Sequence, residues 1–311
     1  MTSFPMYPSI NLRMKWTYSS CDDKSKDTDL LSDQIDVMVD LNRDYACSDY
    51  LFYQTQDDQA LDSLARKKMI DWKFRVVDHY NISRQVVATS TNLMDRFVYL
   101  YTCDRVTFKL AAMTALYIAS KTHDHSQLSI SKLVELSRGE FFSTDVVEME
   151  SIMLQTLKWR VNPATAHSFI HSLVQIVPVS NPAVVAAIYD RAIFFAELCL
   201  FDYSYVTQCR LRIAISAVLN ALEGIGEELA AEDSEQAFLE TLGIHTNLDL
   251  PSNALDHLRE DLWYIYSLSA QYQEDDMQTL PVETSSEYER KVPTVIGTGS
   301  PHSPISIMNR S

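Results

Sequence analysis

A single lysine, Lys121, closely follows a segment that is predicted to be a buried helix. Residues 110–119 read Leu-Ala-Ala-Met-Thr-Ala-Leu-Tyr-Ile-Ala, which is apolar around nearly the whole circumference of a helix. Lys121 is therefore expected where this helix returns to the surface. A structural interpretation is available, because a lysine near a helix C-terminus interacts favourably with the helix dipole and can lay its stem along apolar surface.

A second charge, Glu150, interrupts an apolar stripe on another predicted helix. The stripe consists of Val146, Val147, Leu154 and Leu157, which share one helical face with the carboxylate. Acids rarely occupy the middle of such a stripe. Either a base inside this chain pairs with Glu150, or the stripe is an exposed docking face for another protein. The residues alone leave both interpretations open.

Metal binding and catalysis have little support in the sequence. His167 and His171 are spaced i, i+4, and His123 and His125 flank Asp124. Zinc requires three or four convergent ligands, and the first pair lacks the glutamate of a metalloprotease helix. We assign both pairs to structural or solvated roles and predict no metal and no cofactor. No Ser/His/Asp or Cys/His arrangement stands out, so we expect no catalytic residue and no enzymatic activity.

The composition excludes several classes of protein. The formal net charge is −16, from 42 acidic and 26 basic residues, which disfavours binding to a nucleic-acid backbone. The six glycines begin only at Gly139, so a glycine-rich phosphate loop is not apparent in the first part of the chain. The five cysteines are scattered without a C-x-x-C spacing, as in a reducing compartment. No apolar run is long enough to predict a membrane span.

Helical periodicity predicts an all-α protein with two five-helix units. We expect a flexible N-terminal tail over residues 1–31, and a first unit over 32–162 that includes a preceding helix starting near Ser32. Pro163 marks the boundary, because proline cannot continue the preceding helix. The second unit is predicted over residues 163–272. The remaining residues, 273–311, are acidic and rich in Ser-Pro steps, which predicts disorder.

Motifs spaced along the first unit resemble those of the cyclin family. The core of the match runs from Arg66 to Glu150, and a junction similar to the one between the two cyclin folds follows at Leu157-Lys-Trp-Arg-Val-Asn-Pro163. Each motif is short, but their order and spacing together are specific. The positions that carry the resemblance are Arg66, Asp71 and Trp72 of Ile-Asp-Trp, Asp95 of Met-Asp-Arg-Phe, Leu110, Lys121 of Ala-Ser-Lys, and Glu150 of Met-Glu.

The resemblance implies two cyclin-like domains and assigns roles to these residues. By position, Lys121 and Glu150 would contact backbone groups of a cyclin-dependent kinase. Leu154, Trp159 and Val161 would press on the kinase helix that controls its catalytic ion pair. Arg66 and Asp95 would form an internal salt bridge, and Leu110 would be a packing residue.

The chain departs from the family at a groove that receives Arg-x-Leu substrate motifs. Ala65-Arg-Lys-Lys-Met69 replaces the usual Met-Arg-Ala-Ile-Leu, so two lysines stand at apolar positions. Arg75 stands where an acid is usual, and Lys109 where a glutamine is common. Recruitment of Arg-x-Leu motifs is therefore not expected in this chain.

The resemblance favours a non-catalytic subunit that activates a cyclin-dependent kinase in the cell cycle, located in the nucleus and cytoplasm. Two alternatives are a transcriptional-type cyclin and a cyclin-fold scaffold that bridges DNA and polymerase, although the charge of −16 argues against DNA. A second partner, a ubiquitin ligase adaptor, could bind the C-terminal tail if Ser300 or Ser303, each followed by proline, is phosphorylated.

We expect that deletion of residues 275–311 will lengthen the half-life of the protein in dividing cells and leave kinase activation intact. An accessible polar tail is open to modifying enzymes and proteases, whereas the predicted helical units are not. A cycloheximide chase that compares the truncated and full chains measures this difference. Equal decay of the two chains would remove the tail from the turnover mechanism.

Overall fold

The computed structural model describes residues 24–51, 61–123, 128–224, 234–245 and 252–278. Within these ranges the chain forms eleven α-helices, two short 3-10 helices and no β-strand, which confirms the all-α prediction. Met1–Ser269 forms one compact unit, and Ala270–Ser311 forms another whose described residues, 270–278, are helical. The predicted tail motifs beyond Gln278, and residues 1–23, lie outside the described residues.

The first helical bundle surrounds a central helix, α4, which contacts α2, α3, α5 and α6. Its alanines are fully buried, and their small side chains allow several neighbours to approach closely. Asp62 caps α2 by accepting a hydrogen bond from the backbone N–H of Ala65 at 2.5 Å. The helices of the first bundle are α2 (Ser63–His79), α3 (Gln85–Leu100), α4 (Arg105–His123), α5 (Ile130–Leu136) and α6 (Ser143–Thr156).

The second helical bundle begins after Pro163 and packs α7 and α8 against α9. The helix predicted over 164–177 is divided, because α7 ends at Leu173 and a 3-10 turn, Val174–Ile176, follows. Asn181 caps α8 through the backbone N–H of Ala183 at 3.0 Å, and Pro182 occupies the first helical turn. The α-helices of the second bundle are α7 (Ala166–Leu173), α8 (Pro182–Phe201), α9 (Arg210–Glu223), α10 (Ser234–His245) and α11 (Ser252–Gln278).

The N-terminal helix α1 (Lys24–Arg43) corrects two expectations from the sequence. It begins at Lys24, ahead of the predicted start near Ser32, so part of the predicted tail is helical. The sequence predicts it as part of the first unit, but its buried residues Leu31 and Ile35 belong to the core of the second bundle, and it contacts α7 and α10. Periodicity identifies the buried face of a helix but not the core that covers it. At the other end, α11 continues to Gln278, past the predicted limit at residue 272.

Two hydrophobic cores meet near Pro163. The core of the first bundle includes Leu157, and the core of the second bundle includes Ala164, on the other side of Pro163. A 3-10 turn after α8, Tyr203–Tyr205, lies between the cores, since Val206 next to it packs into the first core while Tyr205 packs into the second. The two bundles are therefore in contact through the turn after α8 as well as through the segment around Pro163 that connects them.

Lys73 lies completely inside the first bundle, and among the described residues no carboxylate pairs with it. Its Nζ donates to the carbonyl oxygen of Ser90 at 3.3 Å and lies 3.5 Å from the Sδ atom of Met94. Burial disfavours the charged ammonium and lowers the pKa of Lys73 to about 7, although the Asp95 carboxylate opposes this shift. The charged form of Lys73 therefore reduces the stability of the folded chain.

We expect Lys73→Met to raise the free energy of unfolding by a few kcal/mol at pH 7, and by progressively less toward pH 10. In the unfolded chain Lys73 keeps its proton up to about pH 10.4, whereas in the folded chain it keeps the proton only up to about pH 7. Between these two pH values the free energy of unfolding of the parent chain therefore rises with pH, by at most about 1.4 kcal/mol per pH unit. Urea denaturation across the range measures the effect. Lys68→Met, the same change at an exposed position, is the control, and an equal pH dependence in both variants would contradict the prediction.

Candidate functional site

Lys121 and Glu150 form an ion pair at the surface of the first bundle. Lys121 lies in the last turn of α4 and Glu150 in the middle of α6, and the Lys121 Nζ donates to Glu150 Oε1. The lysine side chain is 33% exposed and the glutamate 16%. The same ammonium lies 4.3 Å from the ring centroid of Tyr117, one helical turn earlier, within the range of a cation–π interaction. Glu150 thus has a base within this chain, and both groups remain open to solvent on one side.

A tight turn follows α6 and projects Trp159 into solvent. Lys158 and Trp159 have φ angles of +52° and +61°, a left-handed conformation that costs side-chain-bearing residues roughly 1–2 kcal/mol each. The backbone N–H of Trp159 donates to the carbonyl oxygen of Leu154 at 2.9 Å, so these two residues are held together. The Trp159 side chain is 71% exposed, whereas Leu154 and Val161 are half-buried against the core.

A second set of contacts holds this turn from the side of α3. Arg96 donates to the carbonyl oxygen of Arg160 at 2.9 Å, and its guanidinium lies 4.7 Å from the Tyr45 ring centroid. Arg160 in turn pairs with Asp44 at 2.7 Å. The left-handed turn is therefore fixed by contacts that the short motif around Trp159 does not contain. The sequence reasoning did not identify Arg96, Arg160, Asp44 or Tyr45.

Arg66 and Asp95 form a buried bidentate ion pair between α2 and α3. Arg66 Nε lies 2.9 Å from Asp95 Oδ1, and Nη2 lies 2.8 Å from Oδ2, with both side chains nearly inaccessible to solvent. Burial alone would lower the pKa of Arg66, but the neighbouring Asp95 carboxylate raises it overall. The remaining Nη1 donates to the carbonyl oxygen of Leu200 in α8 at 2.7 Å, so the pair also connects the two bundles.

Two tyrosines extend this network: Tyr50, which the sequence does not single out, and Tyr203, whose Asp202-Tyr203 step is similar to the family but carries no predicted contact. The Tyr50 hydroxyl donates to Asp95 Oδ1 at 3.0 Å, and burial, followed by the nearby carboxylate, raises the pKa of Tyr50. The Tyr203 hydroxyl accepts hydrogen bonds from the backbone N–H groups of Tyr50 and Leu51, both at 2.9 Å. It also donates to Asp49 Oδ1 at 2.7 Å. No local pattern marks either tyrosine, because their partners are more than forty residues away in the chain.

Comparison with known proteins places this arrangement in a family. Residues 33–162 match the family model for the cyclin N-terminal domain. Residues 33–162, which contain the first bundle, therefore form a domain of the cyclin family. Mouse G1/S-specific cyclin-D1 is 23% identical over 199 residues, which cover 64% of this chain and 67% of that protein. Cyclin-B2-2 of Arabidopsis thaliana is 29% identical over 171 residues, 55% of this chain and 38% of that protein.

A solved structure supports the same fold. The viral cyclin from herpesvirus saimiri has a TM-score of 0.61 to this chain at 16% sequence identity, and the match covers 77% of this chain and 99% of the viral one. The chain therefore has the two-bundle fold of that solved cyclin. The range matched by the N-terminal family model contains helices α2 to α6 of the first bundle.

The other residues of the cyclin signature lie apart from the Lys121–Glu150 pair. Asp71 pairs with Arg75 one turn later at 2.9 Å, and both side chains are substantially exposed. Trp72 and Leu110 are half-buried and pack against the first core. Lys109 pairs with Glu140. Two of the bases that depart from the family at the predicted groove, Arg75 and Lys109, are thus already matched by acids within the chain.

The histidines that the structure describes do not assemble a metal site. His167 is buried and His171 is exposed, while His123 Nε2 lies 2.7 Å from the Thr89 hydroxyl and burial lowers the pKa of His123. His125 lies outside the described residues. Across the described ranges no group of three potential metal ligands converges.

Two other kinds of function are also without support in the described residues. No described helix is both long and apolar enough to cross a membrane. Burial raises the pKa of the Cys47 and Cys103 thiols to about 12, so neither thiol is a ready nucleophile.

We expect Asp95→Ala to reduce the free energy of unfolding by about 3–5 kcal/mol, because it leaves the Arg66 guanidinium buried without its carboxylate. Asp71→Ala is a matched control, since it removes the acid of the exposed Asp71–Arg75 pair and should cost less than about 1 kcal/mol. Chemical denaturation of the three chains measures both values. If Asp95→Ala unfolds at the same denaturant concentration as the parent, the structural role of the pair is wrong.

Proposed function

We propose that this cyclin binds and activates a cyclin-dependent kinase through the surface formed by Lys121, Glu150, Leu154, Trp159 and Val161. The observation that supports the proposal most directly is the partly exposed Lys121–Glu150 pair, together with an exposed tryptophan in the turn after the helix that carries Glu150, in a chain with a cyclin N-terminal domain. We define these five residues as the kinase face.

The chemistry of the kinase face suits a polar clamp around an apolar contact. Lys121 has further N–H donors, and Glu150 has a second carboxylate oxygen, so both can bond backbone groups of a partner without giving up their own contact. Trp159 gains little from packing in the free chain, because most of its ring faces solvent. A docked helix would cover this ring and exclude water from the ion pair, which strengthens the electrostatic contacts.

The proposed mechanism contains no chemical step by the cyclin itself. A kinase helix held against Leu154, Trp159 and Val161 would keep the position that its catalytic ion pair requires, as the family resemblance implies. The cyclin acts by differential binding, because it can favour the active kinase only by binding that conformation more tightly than the inactive one. Its role is therefore that of a regulatory subunit, without cofactor or metal.

Within this function, we propose a role in cell-cycle progression, with the protein in the nucleus and cytoplasm. The relatives named above support the cell-cycle reading, since the mouse protein is a G1/S-specific cyclin. The transcriptional-type alternative would use the same kinase face. Protein abundance across a synchronised culture separates the two, because a cell-cycle cyclin should oscillate strongly and a transcriptional one should not.

The kinase face can be tested with two matched double variants. We expect Lys121→Ala/Glu150→Ala to weaken binding to a cyclin-dependent kinase by about 2–5 kcal/mol, or roughly 30-fold or more, because two hydrogen-bonding charges are lost at an interface. Lys109→Ala/Glu140→Ala removes another exposed lysine–glutamate pair of the same bundle and should bind like the parent. Titration calorimetry with a purified kinase measures the affinities, and circular dichroism verifies the fold.

The outcome separates a docking role from a structural one. If the folded Lys121→Ala/Glu150→Ala variant keeps the affinity of the parent, the clamp is not part of the interface. If both double variants lose binding equally, the effect does not belong to the kinase face.

A further inference from the structure

A cavity with a volume of about 30 Å³ lies where the two bundles meet. One face of α3 lines it from the first bundle, through Ala88, Thr91, Asn92 and Asp95, which are spaced i, i+3, i+4 and i+7 along the helix. The segment that leads into α7, together with parts of α8 and α9, lines it from the second bundle. Arg66 also lines the cavity, so the cavity lies beside the buried Arg66–Asp95 pair.

Small side chains create the cavity. Ala88 on α3, Ala164 and Ala166 at the start of the second bundle, and Ala196 on α8 all line it, and all four are buried. A side chain that ends at its Cβ atom leaves a gap between helices that a larger side chain would fill. A volume of about 30 Å³ is the share that one molecule takes in liquid water. Any ligand in this cavity is therefore very small.

Three buried polar side chains line the cavity and lack a hydrogen-bond partner for at least one of their atoms. Thr91 is 2% exposed, Asn92 5% and His167 6%. Among the described residues, nothing bonds to Thr91 Oγ1, to Asn92 Oδ1 or to either ring nitrogen of His167. The Nε2 atom of His167 lies 3.9 Å from Glu197 Oε1, beyond hydrogen-bonding distance. Because buried polar atoms are nearly always hydrogen-bonded to protein or to ordered water, this cluster indicates a bound polar ligand.

The orientation of the Asn92 amide defines what the ligand must offer. Its Nδ2 donates to the carbonyl oxygen of Tyr45 at 3.1 Å, so Oδ1 is an acceptor that requires a donor. A halide ion has no hydrogen to donate. A metal cation is disfavoured, because Arg66 and Arg210 line the cavity and the Asp95 carboxylate is already paired with Arg66. A ligand of this size that both donates and accepts hydrogen bonds is water.

We propose that this cavity binds one internal water molecule, which donates to Asn92 Oδ1 and shares hydrogen bonds with Thr91 Oγ1 and a ring nitrogen of His167. Three partners are typical of an internal water. Thr91 and Asn92 belong to the first bundle and His167 to the second, so the water bridges the bundles. This bridge adds to the direct hydrogen bond from Arg66 to the Leu200 carbonyl oxygen. The proposal does not depend on kinase binding.

Oxygen-17 relaxation dispersion of the solvent, which counts internal waters that exchange slowly, tests the proposal on the full chain. We expect Thr91→Val to lower the count by one relative to the parent, because a methyl group replaces a hydroxyl that holds the water. Thr114→Val is the matched control. Thr114 is equally buried and its hydroxyl also has no partner among the described residues, but it does not line this cavity. The control should leave the count unchanged.

Urea denaturation of the same two variants gives an independent measurement. Thr91→Val should lower the midpoint, because the water loses a partner and the buried Asn92 and His167 groups are then poorly satisfied. Thr114→Val should not lower it, since the lost hydroxyl bonds to no described group. Equal water counts in the parent and in Thr91→Val, or equal losses in the two variants, would overturn the proposal.

A crystal structure of the parent chain identifies the ligand and decides the result even if Thr91→Val does not fold. We expect an electron-density peak at about 2.7–3.2 Å from Asn92 Oδ1, and no anomalous signal in the cavity after a bromide soak or under xenon pressure. A bromide peak would assign the cavity to an anion. A xenon peak would show a dry apolar cavity, and either peak, or the lack of any density, would contradict the proposal.

Discussion

The buried ion pair of Arg66 and Asp95 is the constraint on which the relative positions of both bundles depend. A guanidinium and a carboxylate removed from water are tolerated only when their hydrogen-bonding groups are satisfied in good geometry. The Asp95 carboxylate accepts hydrogen bonds from Arg66 and from the Tyr50 hydroxyl. Arg66 donates a further hydrogen bond to the carbonyl oxygen of Leu200. One point in the interior therefore fixes α2, α3, α8 and the segment before α2. Because α4 packs on α3, the position of Lys121 depends on the same point.

The kinase face illustrates how a local strain is maintained by distant contacts. Two successive left-handed residues, Lys158 and Trp159, would not persist in an isolated peptide. The hydrogen bond from Arg96 to the Arg160 carbonyl and the pair between Arg160 and Asp44 hold them in place. The result is an exposed tryptophan in a defined position. Pre-positioning reduces the ordering cost that binding would otherwise incur.

Much of the fold and part of the site could be predicted from the sequence. The helix series follows from apolar periodicity and from breaks such as Pro163, because these are local properties of the chain. The apolar surroundings of Glu150 marked it as unusual, and left open whether a base inside the chain would meet it. The structure supplies that base as Lys121, which lies on another helix and is not connected to Glu150 by any local pattern.

Other features depend on contacts that the sequence does not encode locally. Helix α1 precedes the first bundle but packs on the second, and an apolar stripe does not indicate which core will cover it. Lys73 is completely buried, although a lysine is normally assigned to a helix surface. Tyr203 contacts the backbone of Tyr50 and Leu51 across about 150 residues. Each of these follows from tertiary packing rather than from periodicity or propensity.

The central helix α4 connects the buried interior to the kinase face. Helices α2, α3, α5 and α6 contact it, and its alanines are fully buried, so α4 has little freedom to shift within the close-packed bundle. Lys121 in its last turn and Glu150 of α6 are therefore already paired before any partner binds. A partner that bonds to this pair as it stands avoids the entropic cost of ordering two long side chains, so a surface ion pair that adds little to folding stability can still contribute to binding.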